Sequence, residues 1–217
     1  MNELNHSNHS KRIATNTLVL FARMLIITIV NLYTVRWVLK GLGTEDYGIY
    51  NAVAGVVTTG TCISSVLAMA TQRFYSYAIG LGEKEKLTRI FSASVNLVIV
   101  FSIITILVLE LVGNWFVSTQ MTIPADRLSA ASWVFQFSIF SFIFTLLQIP
   151  YIGAIFSNED MGVYALVSSV DCFIKLMIAA LICMFGFDHL ILYSGAMMIE
   201  SGLVMVVYML VASRKYI

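Results

Sequence analysis

The chain alternates between long hydrophobic runs and short polar stretches. Each run is bounded by charged residues or by Gly, Pro and Asn, and each is near or above the roughly 20 residues that a helix needs to cross a bilayer. The pattern predicts an all-α integral membrane bundle of six transmembrane helices, in which residues 1–11 form a polar cytoplasmic tail and residues 12–217 form the six-helix lobe. The predicted spans are Ile13–Leu39, Tyr47–Gln72, Ile90–Val112, Leu128–Ser157, Met161–Phe187 and Leu190–Ser213.

Composition agrees with this pattern and excludes several classes of protein. Of 217 residues, 59% are hydrophobic and 12% charged, against about 45–50% and about 25% in soluble domains. The net charge of +1 gives no field for nucleic acid, so we expect membrane lipids and no nucleic acid as partners. Because Walker A, GxGxxG, HExxH and GxSxG motifs are missing, we predict no enzyme activity and no cofactor.

The cysteines and histidines also argue against metal or disulfide chemistry. Cys62, Cys172 and Cys183 lie within apolar runs without CxxC spacing, and His189 has no partner at a ligand spacing. We therefore expect buried free thiols and no metal site.

Orientation follows from the lysines and arginines of the short loops. Lys86 and Arg89 lie between the second and third spans, and Arg214 and Lys215 follow the sixth. Basic residues accumulate on the cytoplasmic side of a membrane. The sequence therefore predicts a multi-pass protein of the plasma membrane with both termini in the cytoplasm.

Several charges fall inside the predicted spans. A window of about 20 residues in span one must include Arg23 or Arg36, and the windows of spans five and six must include Asp171 with Lys175, and Glu200. Ionisable groups within a span are expensive and usually functional. The plainer alternatives are that Asp171 and Lys175, four residues apart, form a structural ion pair, and that Arg23 extends to the interface.

Polar residues also recur at helical spacing. Span one carries Asn16, Arg23, Asn31 and Thr34 on one sector, and span two carries Asn51, Thr58, Ser65 and Gln72 at every seventh position. Two interpretations stay open, a polar interior and ordinary packing of small polar residues between membrane helices.

Three stretches together resemble a known family. They are residues 42–51 (LGTEDYGIYN), residues 70–74 (ATQRF), and Pro150-Tyr151 ahead of residues 158–161 (NEDM). In this order and spacing they resemble Wzx-type polysaccharide and O-antigen flippases of the multidrug, oligosaccharidyl-lipid and polysaccharide exporter superfamily. The resemblance covers nearly the whole chain, from about Arg12 to the C-terminus.

The resemblance implies translocation of an undecaprenyl-diphosphate-linked oligosaccharide across the bacterial inner membrane, in the biosynthesis of a surface polysaccharide such as lipopolysaccharide. It implies a fold of two six-helix lobes around a cationic cavity, of which this chain holds one, so the partner is either a second copy in a homodimer or a missing C-terminal lobe. On this basis the lipid-linked oligosaccharide is bound by Arg23, Arg36, Arg73, Asn31 and Gln72. Asp171, Lys175 and Glu200 then form either an ion pair or the site of a coupling proton or sodium ion.

Two other functions fit the same residues. A cation-coupled multidrug-type exporter shares the expected fold and would depend on Asp171 or Glu200 rather than on Arg23. A scaffold within a polysaccharide assembly complex would use all these charges only for structure.

Overall fold

The structure, a computed structural model, describes residues 2–82, 84–182 and 188–216. Within these ranges the chain is helical and contains no strand, which confirms the all-α class. The helices are α1 (Asn2–Thr58), α2 (Thr61–Gly80), α3 (Lys84–Val108), α4 (Asn114–Thr119), α5 (Leu128–Leu147), α6 (Ile149–Ser157), α7 (Met161–Leu181) and α8 (His189–Lys215), with a π-helical turn at Leu109–Gly113 between α3 and α4.

Five helical stretches of the described residues are long and apolar enough to cross a membrane. They are Ala14–Thr58, Glu85–Val117, Leu128–Ser157, Met161–Leu181 and His189–Lys215. The predicted first, third, fourth, fifth and sixth spans each fall largely within one of them, although the end of the fifth, at residues 183–187, lies outside the described residues. The protein is therefore a bundle of helices with the length and composition of a membrane protein.

The second predicted span, Tyr47–Gln72, is wrong as a single helix. Its first part continues α1 as far as Thr58, and its second part is α2, which begins at Thr61. The seven-residue polar repeat of this span is broken by the turn at Thr59 and Gly60. Its hydroxyl groups bond within their own chain segment, as Thr58 Oγ1 does to the Gly55 carbonyl oxygen at 2.9 Å. Asn51, Thr58 and Ser65 are exposed, and Gln72 is half-buried.

A sharp kink at Gly43 divides α1 into a first arm, residues 2–42, and a second arm, residues 44–58. Gly43 has φ +80° and ψ 174°, a backbone conformation that is essentially restricted to glycine. Without the kink, the 45 residues of Ala14–Thr58 would be about 65 Å long, roughly twice the hydrocarbon thickness. The helix also begins earlier than Ile13, since the backbone of the predicted polar tail is helical from Asn2.

The two ends of the bundle hold different polar contacts. At one end the Asn16 amide donates to the Glu159 carbonyl oxygen at 3.1 Å, and Lys215 binds Asp160. A cavity of about 490 Å³ at this end joins the turn between α2 and α3 to the end of α8, with Gly82 and Arg214 among its lining residues. The predicted basic loop and C-terminus therefore share one end, and which side of a membrane this end faces stays a prediction.

At the opposite end Arg127 bridges Asp46 and Asp188. These residues lie at the starts of the second arm of α1, of α5 and of α8. These ion pairs therefore connect the N-terminal ends of three helices that run in the same direction.

The core lies between the second arm of α1, α5 and α8. Phe135, Ile139 and Leu146 of α5 are almost fully buried there, with Val53 and Leu190 from the neighbouring helices. The first arm of α1 packs mainly against α7, and α2 packs mainly against α6. Much of the apolar surface of the first arm, including Leu18, Leu25 and Leu32, is exposed.

Candidate functional site

Arg23 lies on the one narrow stripe of the first arm that packs against α7. Its Nε donates a hydrogen bond to Ser168 Oγ, and its Nη2 donates to Tyr164 Oη at 3.2 Å. The guanidinium carbon stands 4.4 Å from the centre of the Tyr164 ring, a cation–π arrangement. The Ser168 hydroxyl in turn donates to the Tyr164 carbonyl oxygen at 2.7 Å, which leaves its lone pairs for Arg23. We call Arg23, Tyr164 and Ser168 the arginine site.

The arginine site contains no negative charge. Within the described part of the chain, no carboxylate lies within ion-pair distance of Arg23, which is half-buried. Its two contacts to side chains are neutral hydroxyl groups, so the guanidinium is oriented but its charge is not balanced. The side chain is directed against α7, and its extension to a membrane interface stays an open alternative.

A second polar group lies near the middle of α7 and α8. Lys175 Nζ is 2.8 Å from Asp171 Oδ1 on α7 and 3.8 Å from Glu200 Oε2 on α8. Glu200 follows Asp188 by 12 residues, about 18 Å of helix, so this group is far from both ends. We call Asp171, Lys175 and Glu200 the acid–lysine cluster.

The predicted ion pair between Asp171 and Lys175 is thus present, and the structure adds Glu200 to it. Glu200 is only 2% exposed, and neither of its carboxyl oxygens has a hydrogen-bond partner among the described residues. The cluster has two acids for one lysine. The predicted ion pair of one acid and one lysine therefore describes only part of the cluster, because Glu200 adds a second acid.

One face of α7 carries both groups. Tyr164, Ser168, Asp171 and Lys175 follow one another at spacings of three or four residues, which places them on a single side of the helix. The sequence analysis singled out Asp171 and Lys175 on this face. Tyr164 was missed, although it precedes Ser168 by one turn and its aromatic ring is an ordinary partner for an arginine.

The other predicted site residues are not brought to the arginine site. Arg36 is 13 residues, about 20 Å of helix, beyond Arg23, and it is exposed, as is Arg73 on α2. Neither forms an ion pair or hydrogen bond with the described side chains. Asn31 is exposed and its Oδ1 accepts a weak bond from Cys172 Sγ at 3.6 Å, and Gln72 is half-buried on α2.

The cysteines divide between two environments. Cys172 is a buried free thiol as expected, whereas Cys62 is a free thiol on the surface, which corrects the prediction. The neighbouring residues Thr61 and Ile63, at the start of α2, are exposed as well. Cys183 lies outside the described residues.

Asp160 is the clearest titratable group outside the apolar helices. Hydrogen bonds from Lys215 and from the Tyr216 hydroxyl, the latter at 2.6 Å, hold the pKa of the Asp160 carboxyl below its usual value. Burial and the same carboxylate raise the pKa of Tyr216. This contact joins the start of α7 to the end of α8.

Comparison of the chain with protein-family models, with curated proteins and with solved structures finds no match. The resemblance to polysaccharide flippases therefore stays a prediction from residues.

Proposed function

We propose that the chain is one lobe of a flippase that moves a lipid-linked oligosaccharide, carried on undecaprenyl diphosphate, across a bacterial inner membrane during surface polysaccharide synthesis. The observation that supports this most is the arginine site. Among the described residues its positive charge is contacted only by neutral groups, an arrangement suited to the binding and release of an anion.

The chemistry of the guanidinium fits a diphosphate. Arginine has five N–H donors, and the two bonds to Ser168 and Tyr164 use one on Nε and one on Nη2. Three donors are left, two of them on Nη1, and a planar fork of this kind matches phosphate oxygens while keeping its charge at any working pH. The Tyr164 ring beneath it restricts the plane of the fork.

The exposed residues of the first arm fit a further component. Leu18, Leu25 and Leu32 are 68%, 50% and 71% exposed, and Arg36 is exposed on the same arm. In this proposal lipid or a second lobe covers the arm, and Arg36 and Arg73 act only once that lobe is present. The second lobe is a second copy of the chain or a separate C-terminal lobe.

The test is lipid flipping in proteoliposomes that contain the full chain and a fluorescent polyprenyl-diphosphate oligosaccharide. Arg23→Ala removes a charge-assisted contact of about 1.5–3 kcal/mol, so we expect flipping to slow by roughly 10- to 150-fold. Arg23→Lys keeps the positive charge but lacks the planar guanidinium group, and it is expected to retain part of the flipping rate.

The matched control is Arg89→Ala, which removes an exposed arginine from α3 and is expected to flip at the wild-type rate. Equal rates for Arg23→Ala and the wild-type chain, in a preparation that does flip the substrate, would sink the proposal.

A second candidate, a cation-coupled exporter of cationic compounds, is favoured by one observation, the excess acid of the acid–lysine cluster. The two candidates differ in which variant loses transport. An exporter is expected to keep uptake of a fluorescent organic cation in Arg23→Ala and to lose it in Glu200→Gln, whereas a flippase shows no uptake of the cation in any variant.

A further inference from the structure

The charges of the acid–lysine cluster do not balance. Lys175 is the single cation, and its ammonium group is 2.8 Å from Asp171 but 3.8 Å from Glu200. The shorter contact satisfies Asp171, on the same helix. Glu200 is therefore left as the acid without a counter-charge of its own.

Glu200 also has no hydrogen bond of ordinary geometry among the described residues, although Asp171 and Ser201 lie close to it. Both of its carboxyl oxygens are buried and unpartnered among the described residues, and the side chain is 2% exposed. A carboxylate in this position would lose its hydration and gain no donor in exchange. Protonation removes the charge and supplies an O–H donor beside the Asp171 carboxylate, which lies within hydrogen-bonding range of Glu200.

Other groups around Glu200 do not neutralise it. Tyr50 of the second arm of α1 and Tyr193 of α8 are within electrostatic range of it, but both are neutral. The sequence of α5, residues 128–147, has no titratable side chain, and α6 has only Tyr151, whose ring packs on Phe91 instead.

A metal cation is a poor alternative to the proton. A hard cation such as sodium prefers a shell of oxygen ligands, and here the ammonium group of Lys175 already stands between the two carboxyl groups. Its positive charge would repel a second cation a few ångströms away. The cluster therefore selects a proton.

We propose that Glu200 is a proton-binding site that is occupied while α7 and α8 are packed together as in this structure. When the O–H bond of Glu200 breaks and the proton passes to water, the cluster carries one uncompensated negative charge and the contact between α7 and α8 weakens. Because Tyr164 and Ser168 lie on the same face of α7, this change reaches the helix that orients Arg23. Only the coupling of the proton to transport rests on the proposed function.

The site is tested by infrared difference spectroscopy of the full chain in liposomes during a pH titration. A protonated carboxylic acid has a C=O stretching band that a carboxylate lacks. We expect the wild-type chain to show a band that disappears as pH rises, Glu200→Gln to lack it, and Glu110→Gln to keep it. Glu110 is the matched control, a half-buried acid at the end of an apolar helix that accepts a bond from Gln136 Nε2 at 3.2 Å.

Thermal unfolding gives a second readout and reports whether the variant folds. Deprotonation leaves a buried charge unpaired, so the melting temperature of the wild-type chain should fall as pH rises more steeply than that of Glu200→Gln. A titrating band that persists in Glu200→Gln, or no such band in the wild-type chain, would overturn the proposal. Neither readout requires substrate, so failure of the flipping test leaves this test intact.

Discussion

Arg23 and Glu200 are charged side chains in apolar helices with opposite kinds of surroundings. Arg23 has hydroxyl groups and an aromatic ring that orient it and leave three donors unused. Glu200 has no hydrogen-bond partner among the described residues, and its nearest lysine is closer to another acid. The first arrangement suits binding of an anion, and the second suits uptake and release of a proton.

Asp160 gives a pH prediction at the scale of a single residue. Because Lys215 and Tyr216 lower its pKa in the folded protein, its contribution to stability is present above the ordinary value of 3.8 and is lost as pH falls through the lower folded value. We expect acid to lower the melting temperature of the wild-type chain more than that of Asp160→Asn, as measured by circular dichroism in detergent.

Asp126→Asn is the control for this prediction, since Asp126 is exposed in the segment before α5 and its replacement should leave the acid dependence unchanged. An Asp160→Asn variant with the same acid dependence as the wild-type chain would contradict the assigned role of Asp160.

At the scale of the helices, one glycine determines where α1 bends, and another lies where the π-helical turn packs closely against α5. Gly43 supplies the positive φ of the kink. A Cβ at Gly113 would lie 2.5 Å from Phe135 Cζ, so a larger residue there would require the ring or the π-helical turn to shift. Small residues at such contacts are typical of helices that pack in membranes.

Replacing Gly43 by alanine should destabilise the protein. Alanine at φ +80° is strained by about 1–3 kcal/mol, and its helical preference favours a straight α1 over the kinked one. We expect a lower melting temperature, measured in detergent by circular dichroism.

Gly48→Ala is the matched control. It lies five residues further along α1, within the helix, and an added Cβ there meets nothing within 4 Å. Alanine should stabilise this position by about 0.5–1 kcal/mol. The interpretation of the kink fails if Gly43→Ala is as stable as Gly48→Ala.

At the scale of the whole molecule, ion pairs between side chains connect the helices at both ends of the bundle, and apolar packing connects them in the middle. Arg127 joins three helix starts at one end, and Asp160 joins α7 to α8 at the other. Asp46 and Asp188 lie at N-terminal ends of helices, where the helix dipole favours a negative charge. Arg127, at the start of α5, is tolerated there because the two acids surround it.

The Arg127 bridge predicts a measurable coupling. Its Nη1 is 2.7 Å from Asp188 and its Nη2 is 2.8 Å from Asp46, whose side chain is 8% exposed. Arg127→Ala leaves Asp46 unpaired, and because Arg127 is one-third exposed we expect a loss of about 1–3 kcal/mol, below the full cost of breaking a buried pair. Arg127→Lys should recover part of this lost stability, because a single ammonium group replaces a guanidinium group that reaches two acids.

A double-mutant cycle measures this by thermal unfolding. Adding Asp46→Asn to Arg127→Ala should restore part of the stability, because the unpaired carboxylate is removed. Additive effects of the two changes would show that Arg127 and Asp46 are not coupled.

The sequence by itself determined the helical class, most of the long apolar helices and the presence of charges within them. These follow from local quantities, namely the length of each apolar run and the spacing of residues such as Asp171 and Lys175. The predicted first span also ends before Gly41 and Gly43, and Gly43 is the kink.

Tertiary structure alone decided which charges meet. Glu200 joins Asp171 and Lys175, and Tyr164 joins Arg23, because α7 packs against both α1 and α8, and no spacing along the chain encodes the rotation of one helix against another. The same limit explains why the second span was predicted as one continuous helix, since an apolar run does not show whether a turn at Thr59 and Gly60 interrupts it. Partners of a side chain are set by packing between helices, whereas its presence in a helix is set by its neighbours in sequence.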